Sequence, residues 1–366
     1  MTAESRADRL EALATEAEVD LLLVGDLVRP GDSGPDAIAN IRWLTGFTGT
    51  SGFAIVGAGR REFLTDFRYT ERAASEVGDA FERITLEGRL VAELAKRLEG
   101  RVGFDDAATS VRSLTKLTEA VGDAVALVPT TGLVERLRRV KDGREIEAIA
   151  EATRLADEVF EWTADRGLAG RTEREVAIAA QARMRELGAE PAFPAIVAAG
   201  PNGARPHAEP SDREIGAGEL VVVDMGAKLD GYCSDGTRTF ASGELEDDAR
   251  EVYELVRSAQ ATALDAVGPG VKGADADAAS REPIEAAGHA DHYGHGLGHG
   301  VGLEVHEAPR MGKTSEDVLE AGDVVSVEPG VYVPGRFGVR IEDLVTVTED
   351  GIRNLSGTSK DLRVTG

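Results

Sequence analysis

Residues 219–240 read ELVVVDMGAKLDGYCSDGTRTF. Two strand-forming runs, 219–228 and 232–240, flank a turn at Leu229-Asp230-Gly231, a pattern that predicts an antiparallel hairpin. That pairing sets Asp224 opposite Asp235. Residues 325–347, VSVEPGVYVPGRFGVRIEDLVTV, repeat the device: Glu328 and Glu342 are symmetric about Gly335, inside a Pro334-Gly335 turn. Side chains directly opposed across a ladder have Cβ atoms about 4.5–5.5 Å apart, and like charges there are destabilising. The flanking residues are too apolar for a solvated strand. A chain that buries two such carboxylate pairs needs cations to offset the repulsion.

Histidine supplies the next signal. Of six histidines, five lie between His289 and His306. His295, His299 and His306 are embedded in YGHGLGHGVGLEVH, where glycine lets backbone and substrate approach closely. His289 and His292 lack that setting and read as surface or supporting residues. His306-Glu-Ala-Pro-Arg310 is not a zincin helix, because the second histidine is missing and Pro309 would break the helix. Four carboxylates with one imidazole suit Mn²⁺, Fe²⁺, Co²⁺ or Zn²⁺ better than a cysteine-built structural zinc site. Two ions about 3.5–4 Å apart can clamp a water, make it hydroxide near neutral pH and polarise a carbonyl. That is machinery for amide hydrolysis.

Composition narrows the setting. With 366 residues the chain is long enough for two domains. No run of about 18 apolar residues predicts a membrane span. The start, MTAESRADRL, is polar and acidic, which argues against a signal peptide and for the cytoplasm. The single cysteine, Cys233, has no internal disulfide partner and fits a reducing compartment. The formal net charge of −25 disfavours nucleic acid and anionic membranes as partners. Lysine is scarce and arginine carries most of the positive charge. Such acidity suits concentrated salt, which screens self-repulsion, so a halophilic source is expected.

Outward from the hairpins, residues 1–131 alternate short strands and helices, the pattern of an α/β domain. ADRLEALATEAEV predicts an amphipathic helix with Leu10, Leu13 and Ala14 inward. FAIVGAG and REFLTD predict a hairpin, and LVAELAKRLEG a helix ended by Gly100. From Thr131-Gly132 onward, LVERLRRVKDGREIEAIAEATRLADEVFEW reads as one long helical stretch. Thr172-Glu-Arg-Glu175 is a capping box. DDAREVYELVRSAQATALDAV is a further helix, and DADAASREPIEAAG another, with Pro283 expected to kink or split it. The second half thus holds two similar halves, each of helices plus an acidic hairpin.

Taken in order, these pieces resemble the pita-bread metallopeptidases, the family of prolidase, aminopeptidase P, methionine aminopeptidase and creatinase. NIRWLTGFTGTSG and LTDFRYTERA resemble the creatinase-type N-terminal domain, which simple methionine aminopeptidases lack. The resemblance implies an α/β N-terminal domain, 1–131, and an α+β pita-bread catalytic domain, 132–366, with two pseudo-symmetric halves. It implies a dinuclear centre ligated by Asp224, Asp235, His299, Glu328 and Glu342, with Asp235 and Glu342 bridging. Glu328 would also shuttle the proton from the bridging water to the leaving nitrogen. His207, in NGARPH, matches the histidine near the scissile bond, and His306 one that bonds the substrate carbonyl region. His295 matches a further substrate-binding histidine of the proline-specific branch, and Arg340 an arginine that orients neighbouring carboxylates. Gly236 departs from the family's usual larger residue in SDxTRT, but it follows a ligand rather than being one.

Creatinase lacks the metal ligands, and non-catalytic peptide-binding relatives typically lose them; all five are present here. The resemblance therefore implies a metal-dependent exopeptidase that cleaves the Xaa-Pro bond. Manganese is the foremost metal, with cobalt, zinc and iron also compatible, and a homodimer is the expected assembly. Arg310 resembles an arginine at the prolidase site, which favours an Xaa-Pro dipeptidase over aminopeptidase P, the alternative on longer peptides.

Overall fold

The computed structural model describes residues 2–25 and 35–365, which fall into two compact units divided between Arg138 and Arg139. In the first unit, α1 (Ala3–Glu16), α2 (Pro35–Thr45), α3 (Thr70–Glu76), α4 (Leu90–Ala95), α5 (Val111–Val121) and α6 (Leu133–Arg139) accompany a six-stranded sheet. Its strands are β1 (Leu21–Val24), β2 (Phe53–Gly57), β3 (Arg60–Asp66), β4 (Glu82–Leu86), β5 (Gly100–Asp105) and β6 (Val125–Thr130), in the order β4-β3-β2-β1-β5-β6. Leu10, Leu13 and Ala14 are buried on α1. Gly57 pairs Arg60 across the β2–β3 turn. Helix α4 stops at Ala95, and Gly100 opens β5 rather than closing the helix.

The second unit begins with α7 (Gly143–Asp165) and α8 (Glu173–Glu186). The long helical stretch expected after Thr131-Gly132 is two helices, α6 and α7. Asp142 is the reason: its side chain accepts from the Arg144 and Glu145 N–H groups in a capping box that starts a new helix. The Lys141 N–H, outside both helices, donates to the Gly322 carbonyl. The units therefore divide after Arg138, later than the expected boundary, because α6 stays with the first unit.

Two helix-plus-sheet halves follow. The first adds β7 (Glu190–Pro191), β8 (Ile196–Ala199), β9 (Leu220–Asp224), β10 (Ala227–Leu229), β11 (Tyr232–Cys233) and β12 (Thr237–Ala241). Strand β9 lies between β8 and β12. Val159, Phe160, Val176, Val221 and Val223 pack together beneath it. The second half has α9 (Asp247–Ala266) and α10 (Gly273–Ala286), the latter unbroken despite Pro283. Its strands are β13 (Gly298–Gly300), β14 (Glu307–Met311), β15 (Val324–Val327), β16 (Gly330–Val333), β17 (Phe337–Arg340), β18 (Asp343–Val347) and β19 (Ile352–Asn354). β14-β13-β15-β18-β19 form one sheet, and β16 pairs β17 separately.

The first acidic hairpin differs from its expected register. Its turn has two residues, Asp230 and Gly231, both at positive φ, and Leu229 pairs Tyr232. Asp224 therefore faces Thr237, not Asp235, which falls between β11 and β12. The second hairpin keeps the expected symmetry. Val327 pairs Asp343 and Gly330 pairs Arg340, so Glu328 and Glu342 face each other in the break between the two ladders. Among the described residues, no helix is long and apolar enough to cross a membrane.

Candidate metal centre and cleft

A cavity of about 700 Å³ is lined by His207, Asp224, Asp235, His295, His299, His306, Arg310, Glu328, Arg340 and Glu342. The structure thus gathers every residue that the sequence nominated for the site. Asp224, Asp235, His299 and Glu342 are buried, whereas His207, His306 and Arg310 are exposed. Carboxylate oxygens of Asp224, Asp235 and Glu342 all lie within 4.8 Å of one another.

The second sheet positions the remaining two groups. Gly298 is required there, because a Cβ at that position would collide with the Ser326 carbonyl of β15. This close approach brings His299 Nε2 to 3.3 Å from Glu328 Oε1 and 3.6 Å from Asp235 Oδ2. His299 Nδ1 lies 3.1 Å from the Gly300 carbonyl, which can only accept, so Nδ1 carries the proton and Nε2 faces the carboxylates. The Ser326 hydroxyl accepts from the His299 N–H and donates to Glu328 Oε1, both at 3.1 Å.

Arg340 is the local hub. It donates to Asp224 Oδ2, to Thr237 Oγ1 at 3.0 Å, to Tyr332 Oη at 2.7 Å and to the Pro206 carbonyl beside His207 at 3.3 Å. Thr237 in turn donates to Glu342 Oε2 at 2.7 Å. Tyr332 Oη also lies 3.0 Å from His295 Nε2, while His295 Nδ1 lies 2.8 Å from the Gly296 carbonyl. Burial holds the His295 imidazole below its ordinary pKa and hence neutral. Its Nδ1–H donates to Gly296, and Nε2 accepts from Tyr332. Both ring nitrogens are therefore engaged inside the protein, which leaves the ring itself, not a free nitrogen, to line the cleft. Sequence reasoning missed Thr237, Ser326 and Tyr332. Tyr332 was within reach: with Gly330 opposite Arg340, it stands diagonal to Arg340 on the same face.

The buried carboxylates strain one another's ionisation. Burial, then the neighbouring Asp224 charge, pushes the Asp235 carboxyl well up. Burial, then the Asp235 charge, does the same to Glu342. Asp224 is raised by burial against the pull of Arg340. Burial also opposes ionisation of Glu328, but the His299 hydrogen bond and charge outweigh it and hold this carboxyl at about 2. For His299, burial acts downward, yet Glu328 and Asp235 raise it to about 9. Asp224 Oδ1 and Glu342 Oε1 are buried with no hydrogen-bond partner among the described residues. Unpaired, buried, hard oxygen donors beside an imidazole nitrogen fit divalent cations, which would satisfy oxygens that otherwise cost free energy to bury.

The comparisons agree with this chemistry. Residues 147–349 match metallopeptidase family M24, and residues 6–140 match the creatinase/prolidase N-terminal domain. The chain is 43% identical over 231 residues to the Xaa-Pro dipeptidase of Pyrococcus furiosus, covering 63% of this chain and 66% of that protein. Among solved structures it is similar to an Xaa-Pro dipeptidase from Bacillus anthracis, at 36% identity and TM-score 0.92, covering 99% of this chain and 100% of that one. It is also similar to an X-Pro aminopeptidase from Thermotoga maritima, at 32% identity and TM-score 0.88, covering 98% and 99%. The chain therefore belongs to metallopeptidase family M24, whose divalent-metal chemistry suits the buried acidic cluster, and joins it to a creatinase/prolidase N-terminal domain.

Proposed function

We propose that this protein is an Xaa-Pro dipeptidase with two divalent ions held by Asp224, Asp235, His299, Glu328 and Glu342. The observation that carries the reading is the convergence of the Asp224, Asp235 and Glu342 carboxylates at one side of the cleft, with Asp224 Oδ1 and Glu342 Oε1 buried and without a hydrogen-bond partner among the described residues. Bound ions there supply Lewis-acid polarisation of the scissile carbonyl and acidify a water. Glu328, ionised beside His299, takes the proton of the attacking water and passes it to the leaving proline nitrogen. From the open side, His207 stands near the scissile bond and His306 bonds the substrate carbonyl region, with the His306 ring centroid 4.4 Å from that of His299. Arg340 keeps Asp224 and, through Thr237, Glu342 in place. The test is hydrolysis of Ala-Pro after loading with Mn²⁺, Co²⁺, Zn²⁺ or Fe²⁺ in turn, manganese being the expected best. Absence of metal-dependent hydrolysis under every loading would sink the reading.

Arg310 supports dipeptide over longer peptide. It pairs with His299 across β13 and β14 and lines the cleft. An arginine there is a natural partner for the free carboxylate of a C-terminal proline. Arg310→Ala should raise KM for Ala-Pro about tenfold, the loss of one charge-assisted hydrogen bond, and scarcely affect Ala-Pro-Ala-amide. Equal effects on both, or a wild-type preference for the longer peptide, would favour aminopeptidase P, the activity named for the Thermotoga relative.

Three wider expectations belong to the same reading. The enzyme is cytoplasmic, which fits its lone buried Cys233. It is a homodimer, which light scattering would test. Its charge of −25 makes it halophilic, so its melting temperature should rise with added KCl.

A further inference from the structure

Residues 293–297, Tyr-Gly-His-Gly-Leu, belong to no helix or strand, yet Gly294, His295 and Gly296 among them line the cleft. Irregular backbone in such a place must find partners for its polar groups. Helix α10 supplies them through one buried ion pair. Arg281 is bonded to Asp277 one turn back, with Nε to Oδ2 at 2.6 Å and Nη2 to Oδ1 at 2.8 Å. The same guanidinium donates to the Tyr293 carbonyl at 2.8 Å and the His295 carbonyl at 2.7 Å, and lies 3.9 Å from the centroid of the Tyr293 ring. Asp277 accepts the Leu297 N–H at 2.9 Å. The Leu297 carbonyl then accepts the Glu328 N–H at 2.9 Å. Asp277 and Arg281 are 1% and 5% exposed, so neither charge is there for solubility.

We propose that Asp277 and Arg281 are a positioning pair for peptide hydrolysis: they hold the 293–297 segment, and through it the His295 wall that receives the substrate. This rests on the Xaa-Pro reading for its kinetic consequence, but not for the clamp itself. Two carbonyls and a carboxylate bound at once need a planar fork of donors, which lysine does not have. A buried ion pair adds little net stability by itself, so what this one contributes is its hold on the 293–297 backbone.

The experiment is a double-mutant cycle on the metal-loaded full chain. Arg281→Lys should raise KM for Ala-Pro about tenfold with kcat little changed, the pattern of substrate binding lost at the His295 wall. In a His295→Ala background the same substitution should have no further effect on KM. Hydrogen exchange gives a readout independent of activity. The Gly294, His295, Gly296 and Leu297 amides should exchange faster in Arg281→Lys while those of α10 keep their protection. Asp277→Asn, which keeps the acceptor and removes the charge, serves in the same cycle if Arg281→Lys does not fold. Multiplicative effects of Arg281 and His295, or unchanged exchange in 294–297, would overturn the proposal. If the wild type does not cleave Ala-Pro, the functional reading fails, and exchange alone still decides the clamp.

Discussion

The two acidic hairpins answer the same problem differently. The first turns on two residues, Asp230 and Gly231, and its ladder shifts so that Asp224 faces Thr237. The second turns on three, residues 334–336, and leaves Glu328 facing Glu342 between two aligned ladders. The two-residue shift in the first does not separate its carboxylates, because such a shift keeps both on one face. Each hairpin also contributes one carboxylate held closely by a protein cation and one held less closely, Asp235 being 3.6 Å from His299 and Glu342 bonded to the neutral Thr237. Asp224 has Arg340, and Glu328 has His299; at Asp235 and Glu342 burial and neighbouring carboxylates dominate and raise the pKa. Close partnering by the protein and a raised carboxyl pKa are thus distributed across both hairpins, one of each per strand pair.

Exchange of carboxylate for amide tests that division most severely. Glu328→Gln should keep fold and metal but lose about 10²–10⁴ in kcat, the usual worth of general acid–base help. Glu342→Gln, at the carboxylate without a protein cation, should lose metal as well. Equal metal content in the two variants would erase the proposed difference.

Metal removal comes next. A cation that binds only the folded chain at about 1,000 times its Kd adds roughly 4 kcal/mol, so chelation should lower the melting temperature markedly. The pH trend of the metal-free protein follows from Asp235 and Glu342. Their folded pKa values are raised, so their contribution is complete below about pH 4, the unfolded carboxylate value, and is lost as pH climbs through the raised values. Glu328, held at about 2, gives the opposite slope only as pH falls between about 4 and that value. Thermal melts should therefore show the metal-free chain weakening from mildly acidic to neutral pH. With metal bound the trend should reverse, because the ion displaces those protons. A metal-free midpoint that increases from pH 4 to 7 would break the assignment of Asp235 and Glu342.

A smaller effect is expected at Tyr332. Tyr332→Phe removes the hydroxyl between Arg340 and His295 and leaves a buried donor and an acceptor unmet, at about 1–3 kcal/mol. A melting temperature equal to wild type would show that the link is dispensable. The smallest concerns the first turn. Gly231, at φ +80, sets the two-residue register, and Gly231→Ala should cost roughly 1 kcal/mol without changing metal content. Denaturant midpoints measure it; metal loss would mean the turn governs the centre more tightly than its face-preserving register requires.

Much of this molecule is legible along the chain because its signals are local. Periodicity and capping residues mark α1 and α8, turn residues mark the hairpins, and the glycine-embedded histidines mark the cleft. Where local signals compete, reading is less complete. Asp142 and Glu145 form a capping box inside an otherwise helical run, so one expected helix is two. Pro283 sits within α10 without ending it, because packing retains the remaining turns. What only tertiary structure decided lies at long separations. Thr237 reaches Glu342, Arg340 reaches Asp224, and Arg281 reaches the His295 carbonyl, each joining segments whose approach depends on how strands and helices pack. The sequence by itself determined which residue types could carry metal and hydrolytic chemistry, since side-chain chemistry is written in residue identity. Their register, partners and protonation were decided by the fold, because those depend on distance and burial, which no local pattern encodes.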